Sequence, residues 1–329
     1  MTRDIATVAI GGGTGLPRVL KALRALGCRP AAVVTVADDG GSSGRLREEL
    51  GVLPPGDIRN CLVALARNGR LADLMQYRFT DGQCLGGHSL GNLVLAALAA
   101  SEGGFTQGIR AAEELLECDG RVLPSTLEDV RLVARDVAGS EVRGQARIAH
   151  NEERITRVWC EPGSPIANPE AAAAVESADL VVVGPGSLFT SVLPNFLAEG
   201  MREALRRCRG LRVYVCNVAN QRGETSGMGA AEHFEALVEH GLEGAFDAVL
   251  VHAPHEGGSR PPASDDWKGE SVAATGEDIE RIRSAGVEVH VADLVTDDPL
   301  HHDVGRLTEA LRAMMDEVST EEASDVLHG

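Results

Sequence analysis

No stretch of the chain reaches the roughly 18 consecutive apolar residues that a membrane-crossing helix needs, and no charged-then-apolar leader opens it. Membrane insertion and secretion are therefore not expected, and the reading is a cytoplasmic protein. A Cys-x-x-Cys pair is missing as well. The seven cysteines, Cys28, Cys61, Cys84, Cys118, Cys160, Cys208 and Cys216, are odd in number and scattered among apolar neighbours. This excludes a zinc ribbon or dithiol redox motif and a paired disulfide framework, leaving buried thiols. Positive charge is scarce too: 31 Lys and Arg stand against 49 Asp and Glu, a formal charge of −18. Long-range repulsion of that sign opposes binding to nucleic acid or anionic lipid. No internal repeat of fixed period is present.

What the chain has in quantity is glycine, 38 residues, and apolar residues, 43% of the total in 329 residues. That is enough to bury a large core. Apolar, β-branched runs recur at Ile5–Ile10, Ala32–Ala37, Ala178–Val183, Leu211–Cys216, Phe246–Val251 and Val287–Ala292. Most are separated by helical patterns, such as Ile58, Cys61, Leu62 and Leu65, then Leu90, Leu93, Val94, Ala97 and Leu98, and a third across residues 107–117. Near-continuous hydrophobicity in the strands implies burial on both faces, so the fold class is α/β: a Rossmann-like, doubly wound, mainly parallel sheet. The stretch 121–161 differs, with two strand-like segments flanking Ala138-Gly139, and reads as a small antiparallel β insertion. One domain is expected over 1–316, with a mobile loop at about 255–276 and a disordered acidic tail over 317–329.

Two strand ends open into loops suited to an anion. Gly11-Gly12-Gly13-Thr14-Gly15 follows the first run and leads into Leu16-Pro17, a helix start; Gly184-Pro185-Gly186-Ser187 follows the third. Backbone N–H groups ahead of a helix N-terminus bind phosphate without a cationic side chain. A dinucleotide fingerprint read from Gly11 and Gly13 would need glycine where Leu16 stands, which counts against an NAD site. A tight connection is the plainer reading of one such loop, and two in one chain argue for a ligand.

Nearly every strand is followed at once by small, polar or acidic residues. Asp38-Asp39-Gly40-Gly41-Ser42-Ser43 follows the second, Asn217–Thr225 the fourth, and His252–His255 the fifth. Ligands of open parallel sheets bind outside the carboxyl ends of the strands, so these loops should share one cleft. Asp38 and Asp39 could bind ribose, ligate Mg²⁺ or cap a turn. Asp57, in Pro55-Gly56-Asp57-Ile58, reads as a helix N-cap, or as a third carboxylate for a cation, with Asn60 in the first helical turn. His88, Ser89 and Asn92 form another glycine-rich helix start, Ser89 as its cap.

These segments, Ile10–Gly15, Thr35–Asn60, Gly87–Leu93, Arg121–Val130 and Val183–Asn195, resemble the gluconeogenesis factor (YvcK-like) family of the CofD-like superfamily, whose enzymes are 2-phospho-L-lactate transferases. The resemblance runs from about residue 5 to about 310. It implies a cytoplasmic bacterial protein that serves growth on gluconeogenic carbon sources, cell shape and cell-wall precursor supply. It further implies binding of a UDP-sugar such as UDP-N-acetylglucosamine, with no established reaction, and a homodimer is compatible with it. The transferase relatives move a phospholactyl group from a guanylyl donor to a deazaflavin with a metal held by aspartates; Asp38, Asp39 and Asp57 stand at the matching places, with Asp39 and Asp57 the catalytic candidates. Gly12, Gly13, Thr14, Gly15, Asp38, Asp39, Ser42, Ser43, Asn60, His88, Asn92, Gly184, Pro185, Gly186, Ser187 and Asn217 are the expected ligand contacts. Near the C-terminus, His301-His302-Asp303 carries histidine where the family usually has arginine.

Overall fold

The computed structural model describes residues 5–253 and 270–328, with side chains to Glu317. Ten strands are present among them: β1 Thr7–Gly11, β2 Ala31–Val34, β3 Arg121–Pro124, β4 Arg131–Asp136, β5 Glu141–Arg143, β6 Ile155–Glu161, β7 Leu180–Val183, β8 Leu211–Val215, β9 Ala248–His252 and β10 Glu288–Ala292. Seven form one parallel sheet in the order β10-β9-β8-β7-β1-β2-β3. The chain steps from β1 outward through β2 to β3, returns to β7 on the other side of β1, and then proceeds outward to β10. The strand order thus reverses between β1 and β7, where parallel sheets leave a crevice at their carboxyl ends.

Alternate side chains of each strand enter two cores, which is why the strands read as unbroken apolar runs. Ala9, Ala32, Val182, Val213 and Leu250 face the helices Leu16–Ala25, Gly56–Leu65 and Phe105–Leu115 and the C-terminal helix through Leu307, Leu311 and Met314. Val8, Ile10, Val181, Val183, Tyr214 and Val249 face the opposite core with Ala171, Val175, Met201, Phe234 and the inner residues of the small sheet. That sheet is antiparallel, in the order β5-β4-β6, and turns at Gly139 (φ +84°).

Two expectations differ from the structure, and a third lies mostly outside the described residues. The segment read as an insertion from about residue 121 begins with β3, the edge strand of the main sheet; only β4 to β6 make the small one. The tail expected to be disordered continues the helix Val304–His328. Its Glu- and Ala-containing sequence extends a helix whose first turns are anchored by Leu307, Leu311 and Met314. Most of the expected mobile loop lies outside the described residues; its end is described, with Ser271 bridged to Ala219 and Thr275 capping the helix Gly276–Ser284.

Candidate functional site

A cleft of about 730 Å³ sits at the reversal point between β1 and β7. Thr14 and Gly15 line it from the β1 loop, Pro185, Gly186 and Ser187 from the β7 loop, and Asn217 to Arg222 from the β8 loop; Ala149 to Glu152, beyond β5, and Leu300 to His302 close the remaining sides. The two glycine loops are in direct backbone contact. A Cβ on Gly15 would stand 2.3 Å from the Pro185 carbonyl oxygen, so no other residue permits this approach. Asn217 fixes the second loop from β8: its Oδ1 accepts the Gly186 N–H (3.1 Å) and its Nδ2 donates to the Gly186 carbonyl (2.8 Å). The small sheet contributes its wall by equally close packing. Gly223 has φ +73°, and a Cβ there would collide with the Asn151 carbonyl at 1.5 Å.

Not every N–H of the two loops is open to a ligand. Gly13 N–H donates to Asp57 Oδ2 (2.8 Å). Downstream of Ser187 the chain makes a π turn, Leu188–Val192, and its N-terminus is already occupied: Glu224 accepts the Phe189 N–H (2.7 Å), the Thr190 N–H (3.2 Å) and the Thr190 hydroxyl (3.0 Å). Glu224 is fully buried, and burial pushes its carboxyl up to about 7. Thr190 therefore serves the fold. The N–H groups of Thr14, Gly15 and Ser187 make no hydrogen bond among the described residues. They are uncommitted donors beside the cleft, with Ser187 Oγ donating to Gln221 Oε1.

Basic side chains gather here despite the overall negative charge. Arg18 lines the cleft and donates from Nη1 to the His302 carbonyl (2.9 Å); Arg222, His150 and His301 line it too, against one carboxylate, Glu152. His302 is buried, its Nε2 donating to the Cys216 carbonyl (3.0 Å), and burial pushes it down to about 3, so it remains neutral. His301 is held by Asp298 (2.7 Å).

The expected site residues fall into three groups. Thr14, Gly15, Pro185, Gly186, Ser187 and Asn217 meet at the cleft, with Gly12, Gly13 and Gly184 in the backbone behind them. A second group lies around Asp38. Its Oδ1 accepts the Gly40 N–H, and Ser43, whose hydroxyl accepts the Gly56 N–H, also bonds to it. Asp57 faces Asp38; burial first, and then that neighbour, pushes Asp57 up to about 6, while burial raises Asp38. Asp57 is not an N-cap: Pro55 holds that position, and the Asp57 carboxylate turns back to bind the β1 loop. Asp39 points elsewhere, accepting the Ala146 N–H (2.8 Å) at the start of the short helix Gln145–Ile148, and so ties the small sheet to the second loop. Asn60 accepts from Arg59 (2.9 Å) and is not among the residues that line the cleft. The third group is Ser42, His88 and Asn92. Asn92 Nδ2 donates to Ser42 Oγ (3.0 Å), which is also hydrogen-bonded to His88 Nδ1 (2.9 Å). Ser89 holds the N-cap position, but its hydroxyl makes no capping bond.

Sequence reasoning missed Arg18, Glu224 and the wall Ala149–Glu152. Arg18 carried a signal, a cation in the first turn after a glycine loop. Glu224 and the wall carried none, since both depend on long-range packing.

A family model described as 2-phospho-L-lactate transferase CofD matches residues 7–295. The gluconeogenesis factor of Halalkalibacterium halodurans is 40% identical over 312 residues, 92% of this chain and 94% of that protein. The gluconeogenesis factor of Bacillus subtilis is 40% identical over 313 residues, 93% of this chain and 97% of that one. A relative from Nostoc sp. is 47% identical over 247 residues, 74% of this chain, but the match spans only 54% of that longer protein. The crystal structure of a UPF0052-family protein from Bacillus halodurans superposes with a TM-score of 0.86 at 38% identity, covering 94% of this chain and 99% of that one. The chain belongs to the CofD family, in the branch whose members are named gluconeogenesis factors.

Proposed function

We propose that the cleft binds a nucleotide diphosphate sugar of the UDP-N-acetylglucosamine type, and that the protein is a cytoplasmic regulator of carbon metabolism, cell shape and cell-wall precursor supply. One observation carries the reading: uncommitted N–H groups of two touching loops, at Thr14, Gly15 and Ser187, meet Arg18 and Arg222 at the reversal point of the sheet. Two adjacent donor loops suit two adjacent phosphates. The cleft lies within the roughly 300–1,000 Å³ typical of small-molecule sites. Neither Ser187, whose hydroxyl is spent on Gln221, nor neutral His302 is placed as a nucleophile–base pair.

A second reading is a Mg²⁺-dependent transferase of the phospholactate type. Asp38 and Asp57 support it, because two facing carboxylates both raised by burial are a donor set that a divalent cation would neutralise. Such an ion would stabilise charge developing on a transferred phosphoryl group. Asp39 accepts the Ala146 N–H through Oδ1 alone, which leaves Oδ2 as a further oxygen for such an ion.

Thermal unfolding separates the readings. UDP-N-acetylglucosamine at about 100 times its Kd should stabilise the fold by about 2.7 kcal/mol, equally with and without EDTA, while NAD should have no effect. A larger shift with NAD would reverse the assignment. A new flavin species from a guanylyl donor, Mg²⁺ and deazaflavin would replace the regulator with an enzyme.

A further inference from the structure

Away from the cleft, four basic side chains converge on the segment Gly86–Asn92, ahead of the helix Leu90–Ser101. Arg45 Nη2 donates to the Gly86 carbonyl (2.8 Å), and Arg78 Nη1 to the Gly87 carbonyl (2.6 Å). Arg78 also stands opposite Ser89 in an isolated antiparallel bridge. Arg59 approaches from below, its stem against Gly91, where a Cβ would lie 2.7 Å from its Cδ. His88 is the fourth, next to the Arg45 and Arg78 guanidinium groups. None of the three arginines is in an ion pair among the described residues; Arg59 rests on the neutral amides of Gln76 (2.6 Å) and Asn60 (2.9 Å). The carboxylates nearby are Glu49, toward His88, and Asp57, toward Arg59. In a chain of net charge −18 three arginines without an ion-pair partner among the described residues are out of keeping with their surroundings.

Buried polar atoms at the same place lack partners. Ser89 Oγ, on a residue 0% exposed, Asn92 Oδ1, on a residue 2% exposed, and Arg59 Nε, on a residue 6% exposed, make no hydrogen bond. Native folds rarely leave such groups unsatisfied, and a bound group that accepts or donates here would complete them. The helix has no acidic residue in its first turn to meet its dipole. His88 Nδ1 is hydrogen-bonded to Ser42 Oγ (2.9 Å), which holds the imidazole ring in place.

We propose that Arg45, Arg78, His88 and Ser89, backed by Arg59, form a second binding site, for the phosphate group of a small molecule, separate from the nucleotide cleft. Exposed Arg78 and half-buried Arg45 supply access and charge, and the buried hydroxyl and imidazole supply orientation. A protein that senses one phosphorylated metabolite in its cleft thereby gains a position for another. The site does not depend on what the cleft binds.

Equilibrium dialysis against radiolabelled orthophosphate at constant ionic strength tests it. The wild type should hold one phosphate in the cleft and one at this site. The R45Q/R78Q double variant should lose one of them, with the remaining affinity unchanged. R45K/R78K, which keeps the charge, should weaken the second site only about tenfold, whereas loss of the carbonyl contacts alone would leave phosphate binding as in the wild type. Circular dichroism confirms that both variants fold. Glycerol 3-phosphate competing at lower concentration than orthophosphate identifies an esterified phosphate as the occupant; the reverse identifies the free anion. Undiminished binding by R45Q/R78Q overturns the second site and leaves the cleft untouched. Undiminished binding by a Gly15→Ala variant would instead count against the cleft.

Discussion

Replacing Gly15 by alanine is expected to weaken nucleotide binding about a hundredfold and to cost roughly 3 kcal/mol of stability, at the upper end of overpacking substitutions. The new methyl would stand 2.3 Å from the Pro185 carbonyl oxygen and 2.6 Å from its carbon. Neither is a flexible side-chain tip; both belong to a loop held on its far side by Asn217. Relief therefore requires the two loops to separate by about 1 Å, the scale of misplacement that costs a positioned site about two orders of magnitude. Separation pulls the Ser187 N–H away from those of Thr14 and Gly15, so a ligand could engage one loop but not both. Urea unfolding and calorimetric titration with UDP-N-acetylglucosamine measure the two effects. Full affinity in a destabilised variant would mean that the contact between the loops serves folding alone.

The second large effect concerns Glu224. Its carboxyl is pushed up to about 7 from an ordinary 4.5. The folded state therefore holds a proton that the unfolded chain has released between these values, and the group's contribution to stability is fully present below about 4.5 and lost as the pH rises through about 7. The difference corresponds to about 3 kcal/mol. Glutamine mimics the protonated form, accepting the Phe189 and Thr190 N–H groups. Glu224→Gln should thus gain about 3 kcal/mol on the wild type between pH 4 and pH 8. His302 acts in the opposite sense. Its imidazole is pushed down to about 3, so its contribution is present above 6.5 and lost as the pH falls through about 3. Comparing wild type with Glu224→Gln at each pH cancels the His302 contribution and isolates Glu224. Glu224→Ala is a different case. It leaves two buried N–H groups and the Thr190 hydroxyl without a partner, at a cost of about 3–5 kcal/mol. Urea midpoints for wild type and both variants across this pH range provide the check; parallel pH profiles for wild type and Glu224→Gln would refute the shifted carboxyl.

The strands of the main sheet were legible because burial on both faces leaves an uninterrupted apolar run: Ala178–Val183 anticipates β7, and Phe246–Val251 anticipates β9 to within two residues at its start. β3 escaped because Arg121-Val122-Leu123-Pro124 is short, begins with a charge and sits at the sheet edge, where continuous hydrophobicity is not required. Gly41-Ser42-Ser43-Gly44 looked like a loop and is the start of the helix Gly41–Leu50. Local propensity favoured the turn, and packing of Gly44 on the Asp39 carbonyl overrode it, since a Cβ there would approach to 2.1 Å. The convergence of Thr14 and Ser187 on one cleft followed from the rule that loops gather at the carboxyl ends of parallel strands. Which of their N–H groups remained available did not. Asp57 and Glu224 take their share from 44 and 34 or 35 residues away in the chain, and no local pattern announces such a contact.

An amide proton–nitrogen correlation spectrum recorded while UDP-N-acetylglucosamine is added tests the phosphate contact most directly, because each N–H reports its own acceptor. The Thr14, Gly15 and Ser187 signals should move downfield together and saturate at a single concentration, while those of Gly13 and Phe189, already bonded to Asp57 and Glu224, stay nearly still. Saturable shifts elsewhere in the protein, with Thr14, Gly15 and Ser187 unmoved, would show that the two glycine loops do not hold the diphosphate.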